Sequence, residues 1–261
     1  MDDTPLAKKA LGQHWLRDFE SLQAMVAAAD VQPGDAVLEI GPGYGTLTEE
    51  LLAAGAEVTA LEFDASLIPG LLKKFANVPE LRVEQGDIRR FDFTALPPDY
   101  KIVANIPYYL TSNLIQLMSE TPNQPLVAVL LIQKEVAERI CAQPGDMSLL
   151  SVTAQFYWEA SLDRVVGAEL FSPPPKVDSQ ILVLKRRPQP LFANVEPKQF
   201  FRLVKAGFSQ KRKTLVNSLS GGLAIDRSEA QALLDKADIE PTRRAQTLSL
   251  DEWHRLLQVS I

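Results

Sequence analysis

Residues that form covalent cross-links or bind transition metals are nearly missing from this chain of 261 residues. A single cysteine, Cys141, excludes an internal disulfide and is typical of a protein from a reducing compartment. The other soft metal ligands are His14 and His254, which together with one thiol are too few for a zinc site. We therefore predict neither a disulfide framework nor a metal centre.

Long hydrophobic runs are also missing. The longest fully apolar run covers residues 126–132, whereas a helix needs roughly 20 apolar residues to cross a bilayer. The sequence begins Met1-Asp2-Asp3 and has neither the apolar stretch of a secretory signal nor the arginine-rich composition of an organelle presequence. We expect a cytoplasmic protein without membrane contact, and a monomer, because no long exposed heptad or apolar patch is evident.

Positive charge is scarce in the first two-thirds of the chain. Residues 1–175 contain 12 Lys and Arg against 24 Asp and Glu, whereas residues 176–261 contain 15 against 9. The first segment therefore carries −12 and the second +6, although the net charge of the whole chain is only −6. Such asymmetry indicates that the basic part binds a polyanion such as a nucleic acid.

Short apolar segments alternate with helical patterns up to about residue 187. We predict strands at residues 36–40, 57–61, 81–84, 101–104, 127–132, 165–167 and 177–184, and helices at residues 18–29, 47–53, 66–75, 112–120 and 135–142. This order is typical of an α/β fold with a doubly wound, mostly parallel sheet. After the proline-bearing stretch 187–190, helices predicted at 197–207, 213–220, 228–237 and 250–259 indicate a small all-helical domain. We therefore predict two domains, over residues 1–187 and 188–261.

A glycine-rich turn follows the first predicted strand, in the sequence Glu39-Ile40-Gly41-Pro42-Gly43-Tyr44-Gly45. Glycine lets the backbone turn tightly and approach a ligand closely. The spacing of these glycines is G-x-G-x-G, whereas the pyrophosphate-binding turns of nicotinamide enzymes use G-x-G-x-x-G. The turn therefore favours S-adenosylmethionine, which has no phosphate, over a nicotinamide dinucleotide.

Acidic residues follow the next two predicted strands. Glu62 ends the second strand, where a carboxylate can accept hydrogen bonds from both ribose hydroxyls of a nucleoside. Asp64 is better suited to capping the next helix. Asp87, after the third strand, can accept a hydrogen bond from an adenine amino group. Because open α/β sheets bind ligands at the carboxyl ends of their strands, we predict one cofactor pocket there.

The fourth predicted strand leads into Asn105-Ile106-Pro107-Tyr108. An exocyclic ring amine is a poor nucleophile, because its lone pair is delocalised into the ring. If the side-chain oxygen of Asn105 and the carbonyl of Ile106 accept its two hydrogens, a pyramidal and more nucleophilic nitrogen is favoured. Tyr108 would stack on a flipped or single-stranded base. On its own, the motif fits equally well a proline-containing turn with a half-buried tyrosine.

This tetrapeptide resembles the signature of adenine and cytosine amino-methyltransferases. Further segments resemble the ribosomal RNA adenine N6-dimethyltransferase family, most of all its bacterial small-subunit branch. They lie at residues 11–16 (LGQHWL), 129–139 (VLLIQKEVAER), 171–179 (FSPPPKVDS), 208–215 (FSQKRKTL) and 243–249 (RRAQTLS). The resemblance implies a Rossmann-like class I methyltransferase sheet and S-adenosylmethionine as cofactor. It also implies dimethylation of two adjacent adenosines near the 3′ end of 16S rRNA in the 30S subunit or its precursor.

The resemblance also assigns roles to individual residues, at the positions of this sequence that match the family's motifs. The resemblance implies base stacking by Tyr108 and Phe171 and cofactor contacts at His14, Leu16, Gly41, Glu62, Asp87 and Asn105. The family has Asn-Phe where this chain has His14-Trp15, so a side-chain amide contact to the cofactor is lost or is replaced by an imidazole.

Two clusters of positive charge stand out in the basic part, at Lys185-Arg186-Arg187 and Lys211-Arg212-Lys213. We predict that both hold the RNA backbone. Two other functions remain open: a 23S rRNA adenine methyltransferase of the macrolide-resistance type, which shares Asn-Ile-Pro-Tyr, and a 30S assembly factor in which methylation is secondary. The segments 171–179 and 243–249 favour the small-subunit enzyme.

Overall fold

A computed structural model describes residues 12–260, so Leu11, the first residue of the 11–16 segment, lies outside the described residues. The chain divides into two compact units. The first contains the described residues up to Ala137 together with Glu159–Arg186, and the second contains Glu138–Trp158 and the described residues from Arg187 onward.

The described residues form nine strands. They are β1 (Trp15–Leu16), β2 (Ala36–Ile40), β3 (Glu57–Glu62), β4 (Leu81–Gln85), β5 (Lys101–Asn105), β6 (Val127–Gln133), β7 (Trp158–Val166), β8 (Phe171–Ser172) and β9 (Ser179–Arg186). Seven of them form one sheet in the order β4-β3-β2-β5-β6-β9-β7, and β1 pairs separately with β8. Strands β2 to β6 are mutually parallel, whereas β9 is antiparallel to β6. The predicted mostly parallel α/β sheet is confirmed.

Five helices accompany the parallel strands: the first precedes β2, the next three lie between parallel strands, and the last follows β6. They are α1 (Phe19–Ala28), α2 (Thr46–Ala53), α3 (Ile68–Lys74), α4 (Thr111–Glu120) and α5 (Lys134–Ile140). The side chain of Asp18 accepts a hydrogen bond from the N–H of Ser21 at 2.9 Å, so the predicted N-cap of α1 is confirmed. Residues 127–132 of β6 are all buried, as expected for a strand covered on both faces.

The second unit is helical. It contains α6 (Leu149–Tyr157), α7 (Pro197–Phe208), α8 (Leu215–Leu223), α9 (Arg227–Lys236) and α10 (Leu250–Ser260). Helix α9 begins with a capping box, in which the side chains of Asp226 and Glu229 each accept from the other residue's N–H. Aromatic rings of Phe156, Phe200 and Trp253 fill its core. The predicted helical C-terminal region is present.

One segment within the predicted first domain belongs instead to the second unit. Residues 138–158 carry Met147, Val152 and Phe156 into the core of the helical unit. The carbonyl of Gln246 also accepts hydrogen bonds from the N–H groups of Gly145 at 3.0 Å and Met147 at 3.1 Å. The segment around Gly145 is therefore anchored to the 243–249 motif. The predicted boundary near residue 187 does coincide with the end of β9.

Four elements differ from the sequence-based expectation. Helix α6 and the two-residue strands β1 and β8 were not predicted, and the predicted strand at 165–167 is the end of the much longer β7. Within residues 12–260, no helix is both long and apolar enough to cross a membrane. The same residues contain no group of three or more His, Cys, Asp or Glu side chains that could hold a metal ion.

The close approach of α7 to α10 gives a test of the second unit. A Cβ atom at Gly207 would lie 2.3 Å from the ring of Trp253. We expect Gly207→Ala to lower the free energy of unfolding by about 1–3 kcal/mol, because the buried ring has to move. Urea unfolding followed by tryptophan fluorescence would measure the change.

Gly221 in α8 provides the control. It is exposed, and a Cβ atom there would approach only the end of the flexible Gln210 side chain, at 3.1 Å. Gly221→Ala should therefore be neutral or stabilise the protein by up to about 1 kcal/mol, because alanine favours a helix. Equal effects of the two substitutions would contradict the close α7–α10 packing.

Candidate active site

The main cavity of the first unit lies at the carboxyl ends of its parallel strands. It encloses about 950 Å³, its open mouth included. Most of its lining comes from five segments, which begin at Gly12, Ile40, Leu61, Gly86 and Asn105. Four of these five segments follow β2, β3, β4 and β5, where the sequence predicted the pocket.

The glycine turn after β2 forms one wall. Gly41 and Gly43 line the cavity and have φ angles of +71° and +59°, which side chains disfavour. A Cβ atom at Gly43 would lie 3.0 Å from the indole of Trp15. Gly45 is not part of the lining; it precedes α2 with a φ of +75°, and a Cβ atom there would come within 2.6 Å of Phe75. Gly45 therefore serves the turn rather than the pocket.

Glu62 is the more deeply buried of the two acidic residues of the lining. Its side chain is only 5% exposed, and its two oxygens accept hydrogen bonds from the N–H of Asp64 at 2.7 Å and of Gly43 at 3.1 Å. Burial raises the pKa of this carboxyl group, and the two backbone donors oppose the rise. The carboxyl group thus holds the glycine turn against the end of β3.

Glu39 lies behind the turn, within β2, and is 1% exposed. The hydroxyl of Thr48 in the first turn of α2 donates to it at 2.5 Å. Burial is the main reason that the pKa of Glu39 is raised from an ordinary 4.5 to about 8, and the nearby Glu62 adds to the rise. Glu39 is therefore mostly neutral at pH 7.

The sequence predicted Asp64 as the cap of α3, but the N-cap of that helix is Leu67, and Asp64 instead caps the turn before it. Its Oδ1 accepts from both the N–H and the hydroxyl of Ser66, at 3.0 Å and 2.6 Å. The amide of Gln13, a lining residue, donates to its Oδ2 at 3.3 Å. Asp64 therefore links the segment before β1 to the segment after β3.

Asp87 lines the pocket after β4 and is bonded to Arg89, two residues further on. The guanidinium Nε lies 3.0 Å from both carboxylate oxygens, and Nη2 lies 2.5 Å from Oδ2. The hydrogen bond from this guanidinium is the main reason that the pKa of Asp87 is lowered. Asp87 is therefore an anion at neutral pH.

The turn after β5 carries the predicted catalytic residues, and Asn105, Ile106, Pro107 and Tyr108 all line the cavity. The amide nitrogen of Asn105 donates to the carbonyl of His14 at 3.1 Å, so the amide oxygen is the atom that a substrate amine would meet. The hydroxyl of Tyr108 is hydrogen-bonded to that of the buried Ser179 at 2.8 Å. This bond fixes the ring, and burial raises the pKa of the phenol.

His14 lies beside Tyr108. The two ring planes are inclined by 21°, and their centroids are 6.1 Å apart. Nδ1 of His14 lies 2.7 Å from the carbonyl oxygen of Pro173, in the 171–179 segment. The residue that departs from the family pattern is therefore built into the wall of the pocket.

Leu16 and Phe171 are predicted site residues whose side chains lie away from the cavity. They face each other in the β1–β8 pair and are 2% and 4% exposed within the hydrophobic core. Side chains alternate along a strand, so Trp15 faces the cavity while Leu16 faces the core. The placement of Phe171 at the base-stacking position is thus corrected: in this structure its ring is a core residue.

The two predicted RNA-binding clusters have different surroundings. Lys185 is exposed, but Arg186 forms an ion pair with Asp99 and Arg187 donates to the carbonyl of Gln155 at 3.3 Å. In the second unit, Lys211, Arg212 and Lys213 are all exposed. A cavity of the second unit is lined by four cationic side chains and, among the described residues, by no acidic one; the four are Arg139, Lys205, Lys211 and Lys213.

The family model for ribosomal RNA adenine dimethylase matches residues 5–260. The chain belongs to this family. Ribosomal RNA small subunit methyltransferase A of Dehalococcoides mccartyi is 42% identical over 256 residues, which are 97% of this chain and 88% of the relative. The Synechococcus elongatus protein of the same name is 41% identical over 261 residues, which are 95% and 92% of the two chains.

Solved structures of similar proteins extend over nearly the whole chain. A dimethyladenosine transferase from Plasmodium falciparum superposes with a TM-score of 0.80 at 27% identity and covers 94% of this chain and 96% of its own. The 23S rRNA methyltransferase ErmE superposes with a TM-score of 0.74 at 29% identity. The match covers 94% of this chain and 98% of the ErmE chain. The adenine dimethylase fold is therefore present in both units.

Several lining residues of this adenine dimethylase were not predicted from the sequence. Phe63 and Tyr109 line the cavity although they are 54% and 63% exposed, and Trp15, Ile88 and Arg89 also line it. Each directly follows a predicted site residue or lies two positions beyond one. Proximity to the strand ends that carry the predicted site residues was the signal that could have indicated them.

The raised pKa of Glu39 predicts a pH-dependent stability. Between about pH 4.5 and 8 the folded protein keeps a proton that the unfolded chain loses, so stability falls as pH rises through this window. In Glu39→Gln the amide does not titrate. The wild type should therefore lose stability relative to this variant by roughly 1.4 kcal/mol per pH unit across the window. Urea unfolding at pH 5.5, 7 and 8.5 would measure it.

The exposed Glu57 at the start of β3 provides a control. The free energy of unfolding of Glu57→Gln should change with pH as that of the wild type does. If the free energy of unfolding depends on pH in the same way in Glu39→Gln and in the wild type, Glu39 does not hold its proton in the folded state.

Proposed function

We propose that this adenine dimethylase transfers methyl groups from S-adenosylmethionine to N6 of two adjacent adenosines near the 3′ end of 16S rRNA. The observation that carries the proposal is the Asn105–Tyr108 turn in the same cavity as the glycine turn and Glu62. The name shared by the relatives, ribosomal RNA small subunit methyltransferase A, supports the small-subunit substrate.

The residues of the cavity fit this cofactor. Glu62 is held by two backbone N–H groups and retains acceptor capacity for ribose hydroxyls. Asp87 can accept from an adenine amino group, and the bare backbone of Gly41 and Gly43 leaves room for the amino-acid portion. When bound, the cofactor supplies an electrophilic methyl group on its sulfonium.

The chain's own contribution is to position the target amine. The oxygen of Asn105 and the carbonyl of Ile106 accept the two N6 hydrogens, which favours a pyramidal nitrogen with an available lone pair. Tyr108, fixed by Ser179, stacks on the base and orients it toward the methyl group. After transfer the nitrogen is positively charged, so its proton is acidic and leaves without a dedicated base.

The basic second unit binds the RNA. Lys211, Arg212 and Lys213 are exposed cations that would neutralise phosphates, which gives affinity but little sequence selectivity. In the 185–187 cluster, Lys185 is the best candidate, because Arg186 already pairs with Asp99. We propose that the enzyme acts as a monomer on the 30S subunit or its precursor.

Transfer of labelled methyl groups tests the proposed reaction. Unmethylated 30S subunits should be labelled as N6,N6-dimethyladenosine, and 50S subunits should not. Asn105→Ala should lower the rate by about 100-fold or more, because an acceptor aligned with the reacting amine is lost. Asn113→Ala, which changes an exposed asparagine on α4, is the matched control and should retain full activity.

The other outcomes are equally informative. Label that appears only in 50S subunits would assign the chain to the 23S branch. Tight binding of 30S subunits without any label would support the assembly-factor function. Labelling that survives Asn105→Ala would remove Asn105 from the mechanism.

The role of the second unit is tested by the salt dependence of RNA binding. Lys213→Ala should weaken binding of 16S rRNA and reduce the slope of log affinity against log salt by about 1, because one phosphate contact is lost. Lys236→Ala, at the end of α9, removes another exposed lysine and serves as the control. Equal slopes for the two variants would contradict a specific role for the 211–213 cluster.

A further inference from the structure

Arg89 is a lining residue to which neither the family resemblance nor the proposed mechanism gives a task. Its guanidinium contacts both oxygens of Asp87, and its backbone N–H donates to Oδ1 at 3.0 Å. The neighbouring Arg90 is also exposed but is not part of the cavity lining. Of the two consecutive arginines, Arg89 is the one that lines the pocket and hydrogen-bonds the acidic residue at its adenine end, whereas Arg90 acts on Asp87 through its charge alone.

The bonds from Arg89 nearly fill the acceptor capacity of Asp87. An ionised carboxylate offers about four acceptor positions. Three N–H groups of Arg89 already use them: the backbone N–H, Nε and Nη2. About one position remains for a ligand in the cavity that Asp87 lines. The plane of the carboxylate is also fixed, because the guanidinium contacts both oxygens in the bidentate manner.

Such a carboxylate can accept one hydrogen bond and cannot donate one. An amino group on carbon 6 of a purine is a donor and matches it. A carbonyl oxygen at the same position is an acceptor and would face an anion that has no proton to give. The Asp87 side chain is 19% exposed and so partly shielded from water, and a polar site of this kind discriminates against an analogue that lacks the matching group.

We propose that Arg89 is a specificity-determining positioning residue that makes Asp87 a fixed acceptor for a 6-amino purine and not for a 6-oxo purine. This inference rests on the proposed function, because it concerns the adenine of the proposed cofactor. Arg89 acts through Asp87 and need not touch the reacting atoms.

The geometry separates this role from a purely local one. Asp87 also caps the short 3-10 turn Ile88–Arg90, but that cap uses the backbone N–H of Arg89. Arg89→Ala retains this N–H and removes the side chain beyond Cβ, with its guanidinium. The substitution therefore tests the side-chain bonds while the turn keeps its cap.

The experiment is a calorimetric titration of the full chain with S-adenosylhomocysteine and with S-inosylhomocysteine, its 6-oxo counterpart. The wild type should bind the amino compound at least ~10-fold more tightly, since a matched hydrogen bond becomes a mismatched one. Arg89→Ala should weaken binding of the amino compound ~3- to 30-fold and leave the 6-oxo compound nearly unchanged, so the preference falls. Arg89→Lys keeps the charge without the bidentate contact and should give an intermediate preference.

Arg90→Ala is the matched control, since it removes the same charge from the adjacent position and should keep the wild-type preference. The inference is overturned if Arg89→Ala keeps the wild-type preference. It is also overturned if Arg89→Ala and Arg90→Ala lose affinity equally for both ligands. Thermal unfolding midpoints equal to the wild type would exclude misfolding. Failure of the wild type to bind S-adenosylhomocysteine would refute the proposed function itself, which is a different result.

Discussion

Two largely buried carboxyl groups on neighbouring parallel strands determine the shape of the pocket. Removal of such a group from water costs several kcal/mol unless hydrogen bonds replace the lost hydration. Glu62 obtains them from the N–H groups of Gly43 and Asp64, and Glu39 from the hydroxyl of Thr48. These bonds tie the glycine turn to β3 and the start of α2 to β2. The wall of the pocket is thus ordered by the protein itself.

The part of the wall that Trp15 forms depends on a ribbon of only two residue pairs. In β1 and β8, Trp15 pairs with Ser172 and Leu16 with Phe171. Because neighbouring side chains point to opposite faces, Leu16 and Phe171 are buried in the core and Trp15 faces Gly43. The nearby bond between His14 and the carbonyl of Pro173 joins the same two segments. The ribbon therefore holds the segment before α1 against the segment that precedes β9.

Local patterns were sufficient to predict β2 to β6 to within one residue at each end, because each is a short segment, mostly apolar or, in β4, alternating, that is bounded by turn residues or charges. They were insufficient for α6 and β7, since no loop separates Tyr157 from Trp158 and the edge strand is mostly exposed. The assignment of residues 138–158 to the helical unit depends on bonds from Gly145 to Gln246, far apart in the chain. At the site, acids at strand ends were predictable; the face on which Phe171 lies was not.

The charges of the pocket differ from those that the sequence suggests. Residues 1–175 carry −12, which would repel an RNA strand, and three acids lie in or behind the cavity. Burial keeps Glu39 mostly protonated at pH 7, since its pKa is about 8, and it raises the pKa of Glu62. Asp87 remains an anion, but Arg89 neutralises it through two hydrogen-bonded oxygens. Burial and one ion pair thus lower the negative charge at the place where a nucleotide has to enter, while the acidic exterior still opposes unselective binding of RNA.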